Sequence, residues 1–105
     1  MAAALGEFEV LVLLAVIRLG DEALPPAIKL EIEQRARRSV QRGAVYVTLD
    51  RLEAKGLLQS HLETLDARRR RAYRVSARGL RAVRRALHAV ERMRTGLEPI
   101  LDLET

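Results

Sequence analysis

The apolar positions of the chain change period several times, and each change predicts an element. Residues 7–19, EFEVLVLLAVIRL, are apolar almost all round and run into Gly20. The stretch is too long for one strand, and a terminal glycine is a helix stop, so a first helix buried on several sides is expected. Gly20-Asp21-Glu22 reads as a turn. Pro25-Pro26 opens the next helix, because proline at the first helical position gives up only an N–H that lacks a partner anyway. Its core stripe is Ile28, Ile32 and Ala36, and it ends near Arg37-Arg38, whose charges suit a helix C-terminus. After a short extended linker at Ser39-Val40, a third helix is expected from Arg42 to Lys55, stopping at Gly56. Val45, Leu49 and Leu52 follow i, i+4, i+7 and should face the core. At 100° per residue the opposite face carries Gly43, Val47, Asp50, Arg51 and Ala54, with Tyr46 and Thr48 on the flanks.

Beyond Gly56 the period shortens. Residues 57–63, LLQSHLE, read as a strand and residues 72–75, AYRV, as its antiparallel return. Residues 64–71 then form a long hairpin tip that carries Arg68, Arg69, Arg70 and Arg71. Ser76 is placed to cap a last helix, since its hydroxyl can accept an orphan N–H. Leu80, Val83, Leu87, Val90 and Leu97 recur along that helix at spacings near three and four, with Arg94 interrupting the stripe. Such a stripe is longer than a small domain needs for its own packing, which points to a partner helix. Residues 99–105, PILDLET, are expected to fray. The chain thus divides into a unit at 1–75, a helix at 76–98 and a tail at 99–105. The fold class is α+β, mostly α: three helices, a two-stranded hairpin and a C-terminal helix.

Length and charge sharpen this picture. A chain of 105 residues is one domain with one small core, and an interface between copies is expected to share the burial. Cysteine is absent, which excludes disulfides and thiolate metal sites and fits a cytoplasmic location. The longest apolar run, Val10 to Ile17, is far short of the roughly 20 residues that span a bilayer. No basic segment precedes it, so it does not read as a signal peptide. Net charge is +5 but unevenly spread: residues 66–94 hold eleven arginines against Asp66 and Glu91. A polyanion meets that half of the chain first. Four consecutive arginines at a turn repel one another unless something anionic lies against them.

Catalytic chemistry finds little support. His61 and His88 have no second ligand at metal spacing. No serine sits in a nucleophile-elbow context, and the six glycines are scattered rather than gathered into a phosphate loop. No cofactor is implied, and an enzyme is not expected. Duplex DNA fits better, because a helix fits the major groove, where base edges carry a full donor and acceptor code. The third helix would dock with its N-terminal half leading. Gln41 and Arg42 stand at its start, and the small Gly43 and Ala44 permit close approach to phosphates. Tyr46 can reach a phosphate or a base, Val47 a thymine methyl, and Thr48 and Arg51 either phosphate or base. The arginines of the hairpin make salt-sensitive phosphate contacts that position rather than specify. Single-stranded nucleic acid is disfavoured, because stacking needs aromatics and only Phe8, Tyr46 and Tyr73 exist.

At the level of motifs the chain resembles the PadR family of bacterial transcriptional regulators over roughly residues 5–94. The resemblance rests on LGEFEVLVLLAVIRLGDEAL, RGAVYVTLDRLEAKGLL and ARRRRAYRVSARG. Within the middle block it lies in Gly43, Tyr46, Leu49, Arg51, Leu52, Glu53, Gly56 and Leu57. It implies a winged helix-turn-helix fold and a homodimer joined through the last helix with help from the first. It also implies repression or other regulation of nearby genes through a pseudo-palindromic operator in double-stranded DNA. In some members a small aromatic effector bound near the dimer interface releases the DNA. Two positions depart from the pattern. Leu24-Pro25 stand where the family often has Tyr-Gly, and Ala67 stands where a glycine usually precedes the basic run, removing the residue best suited to φ > 0 at the hairpin tip. The chain lacks tryptophan, so an effector site built on indole stacking is not expected. The alternative functions are a winged-helix module that binds an acidic protein partner and a nonspecific nucleic-acid binder.

Overall fold

The computed structural model describes residues 4–103. Its elements in chain order are α1 (Glu7–Leu19), a single 3₁₀ turn (Gly20–Glu22), α2 (Pro25–Ala36), α3 (Arg42–Ala54), β1 (Leu58–Leu65), β2 (Arg68–Val75), α4 (Ala77–Arg94) and α5 (Glu98–Leu101). The strands form one antiparallel two-stranded sheet.

The core collects one face of each element: Val12, Leu13 and Val16 of α1, Ile28 and Ile32 of α2, and Val45, Leu49 and Leu52 of α3. Leu57, Leu58 and Tyr73 close it from the hairpin side, and Val83 from α4. The predicted stripes of α2 and α3 are therefore the buried ones, except that Ala36 at the end of α2 is exposed. The linker after α2 is held by its own polar contacts: Arg37 takes a left-handed φ of 53°, and the Val40 N–H donates to Glu33 Oε2 at 3.2 Å. Glu9 is the one buried carboxylate among the described residues. Its Oε1 accepts from the Gly6 N–H at 2.9 Å and its Oε2 from Lys55 Nζ at 2.9 Å, so it caps α1 and ties it to the end of α3. Burial alone would raise its pKa. The Gly6 N–H and the Lys55 ammonium outweigh burial and hold the carboxyl below its ordinary value of 4.5.

The hairpin differs from expectation. The strands are longer, pairing Leu58 with Val75 through to Leu65 with Arg68, and only Asp66 and Ala67 form the turn. Arg68 to Arg71 are thus rungs of β2 and not a flexible tip. Both turn residues have positive φ, 51° and 63°, the signature of a two-residue turn whose twist matches that of the flanking strands. Ala67 adopts that conformation without being glycine.

The C-terminal half of the chain begins at a close crossing. Ser76 Oγ accepts from the Gly79 N–H at 3.0 Å, as the sequence predicts, and donates to the Gly56 carbonyl at 2.7 Å. A Cβ at Gly79 would stand 2.2 Å from the Leu57 carbonyl oxygen, so only glycine lets α4 lie this near the start of the hairpin. Helix α4 is shorter than predicted. It ends at Arg94, where Glu91 accepts from both Nε and Nη2 of that arginine, and Gly96 turns the chain with φ 91°. Leu97 accordingly lies beyond the helix. Residues 98–101, of which 99–101 were expected to fray, form the short α5. Val83 is 5% exposed and packs into the chain's own core, so it is not open to a partner as the stripe suggested. Leu80, Leu87, Val90 and Leu97 are exposed.

Candidate nucleic-acid interface

Helices α2 and α3, joined by the linker at 37–41, form a helix-turn-helix, and the hairpin stands beside α3 as a wing. The α3 N-cap is Gln41, whose side chain makes no capping hydrogen bond. The first-turn N–H groups of α3 therefore point outward without a side-chain acceptor, on a helix end that favours anions. Gln41, Arg42, Gly43 and Ala44 are all exposed there. A Cβ added at Gly43 would meet nothing within 4 Å. The Arg42 guanidinium lies 5.5 Å from the centroid of the Tyr46 ring. Val47 is 56% exposed, a branched apolar side chain left largely open to solvent. Arg51 is exposed too, but its charge also acts on Glu9, which orients it partly toward α1.

Thr48 does not belong to this surface. It is 5% exposed. At 100° per residue it falls only about 60° from Val45, inside the broad stripe that a core-facing helix buries. The reading that placed Thr48 on the flank took the stripe as too narrow.

On the wing, Arg68, Arg69, Arg70 and Arg71 are exposed along one strand. Their partners across the sheet are Leu65, Thr64, Glu63 and Leu62. Side chains alternate, so Arg69 and Arg71 share a face with Tyr73. Arg71 Nη1 donates to Ser60 Oγ at 2.7 Å, and Ser60 in turn donates to the Glu53 carboxylate of α3. This chain of contacts clamps the root of the wing to α3. The Tyr73 N–H donates to the Ala23 carbonyl at 3.0 Å, which fixes the outer edge of β2 to the turn before α2.

These attachments leave a cleft of about 540 Å³ between the wing, α3 and the start of α2. Tyr46 and Asp50 of α3 line one side, the arginines and Tyr73 the other, and Leu24, Pro25 and Pro26 the floor. Burial, with Asp50 and Glu53 nearby, pushes the Tyr73 phenol above the usual tyrosine range. Sequence reasoning did not anticipate Asp50, Tyr73 or the Leu24-Pro25-Pro26 floor as parts of one site. The available signal was the two-residue alternation Arg69, Arg71, Tyr73, which is visible only once those arginines are read as strand. No group of three or more metal-ligating side chains occurs among the described residues. No described helix is long and apolar enough to cross a membrane.

A helix-turn-helix with a two-stranded wing packed against its second helix defines a winged helix-turn-helix protein. Residues 13–85 match the transcriptional regulator PadR-like family, and the chain belongs to it. A curated relative, the transcriptional regulator Rv3488 of Mycobacterium tuberculosis, is 46% identical over 56 residues. That match covers 50% of this chain and 52% of the relative, so the chain spans about half the length of that protein. Among solved structures, a PadR family transcriptional regulator from Eggerthella lenta superposes with a TM-score of 0.71 at 25% identity, over 93% of this chain and 88% of the other. A PadR family transcription regulator from Clostridium difficile gives 0.73 at 20% identity, over 91% and 99%, a likeness of fold.

Proposed function

We propose that the chain is a sequence-specific double-stranded DNA-binding regulator that works as a homodimer and represses by occupying its operator. The carrying observation is the surface of α3. Gly43, Ala44, Tyr46 and Val47 are exposed beside a wing strand with four consecutive exposed arginines. Helix α3 fits the major groove with its N-terminal half leading, while the β2 arginines take the flanking backbone. Dimerisation is supported by Leu80, Leu87 and Val90 of α4, large apolar side chains left 42%, 43% and 65% exposed by the chain itself. Two such units would place their α3 helices about one helical turn of DNA apart. In this reading a small molecule relieves repression by favouring a dimer whose α3 spacing no longer matches successive grooves.

The test is fluorescence anisotropy with the duplex upstream of the chain's own gene, against a scrambled duplex of equal composition, at two salt concentrations. A preference of about a thousandfold or more is the expected result. Equal and steeply salt-dependent binding to that duplex, the scrambled control and tiled genomic duplexes would refute specificity. Absence of binding at low salt would favour an acidic protein partner instead.

A further inference from the structure

The cleft between α3 and the wing has a lining that the sugar–phosphate backbone of duplex DNA does not match. Its arginines suit a phosphate: Arg69 and Arg71 lie on the same face of β2, two residues apart, and Arg71 spends only Nη1 on Ser60 Oγ. Asp50, on the opposite wall, is an acceptor and a negative charge. The sugar–phosphate backbone of DNA offers no hydrogen-bond donor to such a group and is repelled by it. A free phosphate ester with hydroxyl groups on its body satisfies both walls. The floor of Leu24, Pro25 and Pro26, together with the Tyr46 ring, adds apolar area for a planar moiety. Tyr73, 3% exposed, turns its edge of the cleft into a fixed wall rather than a mobile one. The volume of about 540 Å³ falls in the ordinary range for small-molecule sites, roughly 300–1,000 Å³.

We propose that this cleft binds a small organic phosphate of the nucleoside monophosphate class and that its occupancy excludes DNA. The phosphate lies against Arg69 and Arg71, Asp50 accepts from sugar hydroxyls, and the base rests on the proline floor beside Tyr46. Exclusion follows because Tyr46 and Arg69 would be shared between this ligand and the operator; that half of the proposal rests on the DNA-binding reading, while ligand binding itself does not.

The chain offers a clean reporter. It has two tyrosines and no tryptophan, and both tyrosines line the cleft. Full-length protein labelled with 3-fluorotyrosine should show two ¹⁹F signals, each reporting on the cleft. Titration with adenosine monophosphate at constant ionic strength, without DNA, should move both signals saturably, with a Kd below about 1 mM. Adenosine alone and inorganic phosphate alone should bind at least about tenfold more weakly. Asp50→Ala and Arg69→Ala, each checked for unchanged circular dichroism, should weaken adenosine monophosphate by a similar factor. Saturating ligand should then raise the Kd for duplex about tenfold or more. Signals that stay unmoved up to about 10 mM ligand, or that move equally in both variants, would overturn the site. Saturable binding that leaves duplex affinity unchanged would overturn the exclusion. Signals moved by duplex but not by adenosine monophosphate would assign the cleft to DNA instead.

Discussion

Gly79→Ala is the substitution whose sign separates this packing from ordinary helix energetics. Glycine inside a helix normally costs about 1 kcal/mol relative to alanine, so the replacement should stabilise an unpacked helix. Here the new Cβ would lie 2.2 Å from the Leu57 carbonyl oxygen and 2.7 Å from Val75 Cγ1. The first contact is to backbone, so it cannot be relieved by a side-chain rotation; α4 or the start of β1 must move by about 1 Å to restore an ordinary contact of 3.4 Å. The same Leu57 carbonyl accepts the Ser76 N–H at 3.1 Å, so moving apart weakens that bond as well. Overpacking of about 1–3 kcal/mol plus about 1 kcal/mol for the hydrogen bond, less the helix gain, leaves a net loss of about 1–3 kcal/mol. Urea unfolding followed at 222 nm, at one fixed protein concentration, reads it directly. Gly43→Ala is the internal control, since its Cβ meets nothing within 4 Å. It should be neutral or stabilising by about 0.5 kcal/mol. If Gly79→Ala proved as stable as the parent, the crossing of α4 over the hairpin root would be wrong.

The other predictions concern the turn, the buried carboxylate and the two proposed interfaces. Ala67→Gly should stabilise the protein by about 0.5–1 kcal/mol, because relief of a left-handed alanine exceeds the extra chain entropy of glycine; an unchanged or lowered Tm would argue against the φ of 63°. Glu9→Gln should destabilise at pH 7 by about 1–2 kcal/mol, a figure already reduced because Lys55 is 37% exposed. The Glu9 pKa is lowered in the folded state, so its contribution is complete above pH 4.5 and fades as pH falls through the folded value. The gap between parent and variant urea midpoints should therefore shrink between pH 7 and pH 3, and a constant gap would refute the assignment. Val47→Glu should abolish operator binding by anisotropy while changing stability by under about 0.5 kcal/mol, since the side chain is 56% exposed; loss of folding would show that Val47 is packed. Leu87→Arg should halve the mass in sedimentation equilibrium, and an unchanged mass would remove α4 from the interface.

Helices were the legible part of the fold because their signals are local. Gly20, Pro25-Pro26 and Gly56 bound α1, the start of α2 and the end of α3 within a residue or two, and Ser76 is the cap it promised to be. The wing was legible as a hairpin but not in its register. A run of four arginines has neither apolar alternation nor β-branching, so nothing local marks it as strand. What holds it there is non-local: pairing with residues 62–65 of β1 and the contacts of Arg71, Ser60 and Glu53. The turn was hidden for the same reason, since Asp-Ala lacks the glycine that usually announces two positive φ values. Gly79 lies in the first turn of α4, and its close approach to Leu57 leaves no trace in sequence. Thr48 was misplaced by a polar label; its position in the helix, not its hydroxyl, decided its burial.

Strand-bound arginines change how the wing would work. Four guanidinium groups on a flexible tip would lose much of their freedom on meeting DNA, at about 0.5–1.5 kcal/mol per ordered side chain together with the loop backbone. On β2 the backbone is already fixed by a continuous ladder, and Arg71 is partly held by Ser60, so only the outer side-chain torsions remain to be ordered. Alternation roots Arg69 and Arg71 on the face of the sheet shared with Tyr73 and Arg68 and Arg70 on the other, yet all four border the cleft beside α3. Salt-dependent positioning contacts to a backbone are then offered from both faces of the strand at the rim of the cleft. The run of identical residues is thus rooted alternately on the two faces of one rigid strand at the rim of a single cleft, and that arrangement exists only because the turn is two residues long and not eight.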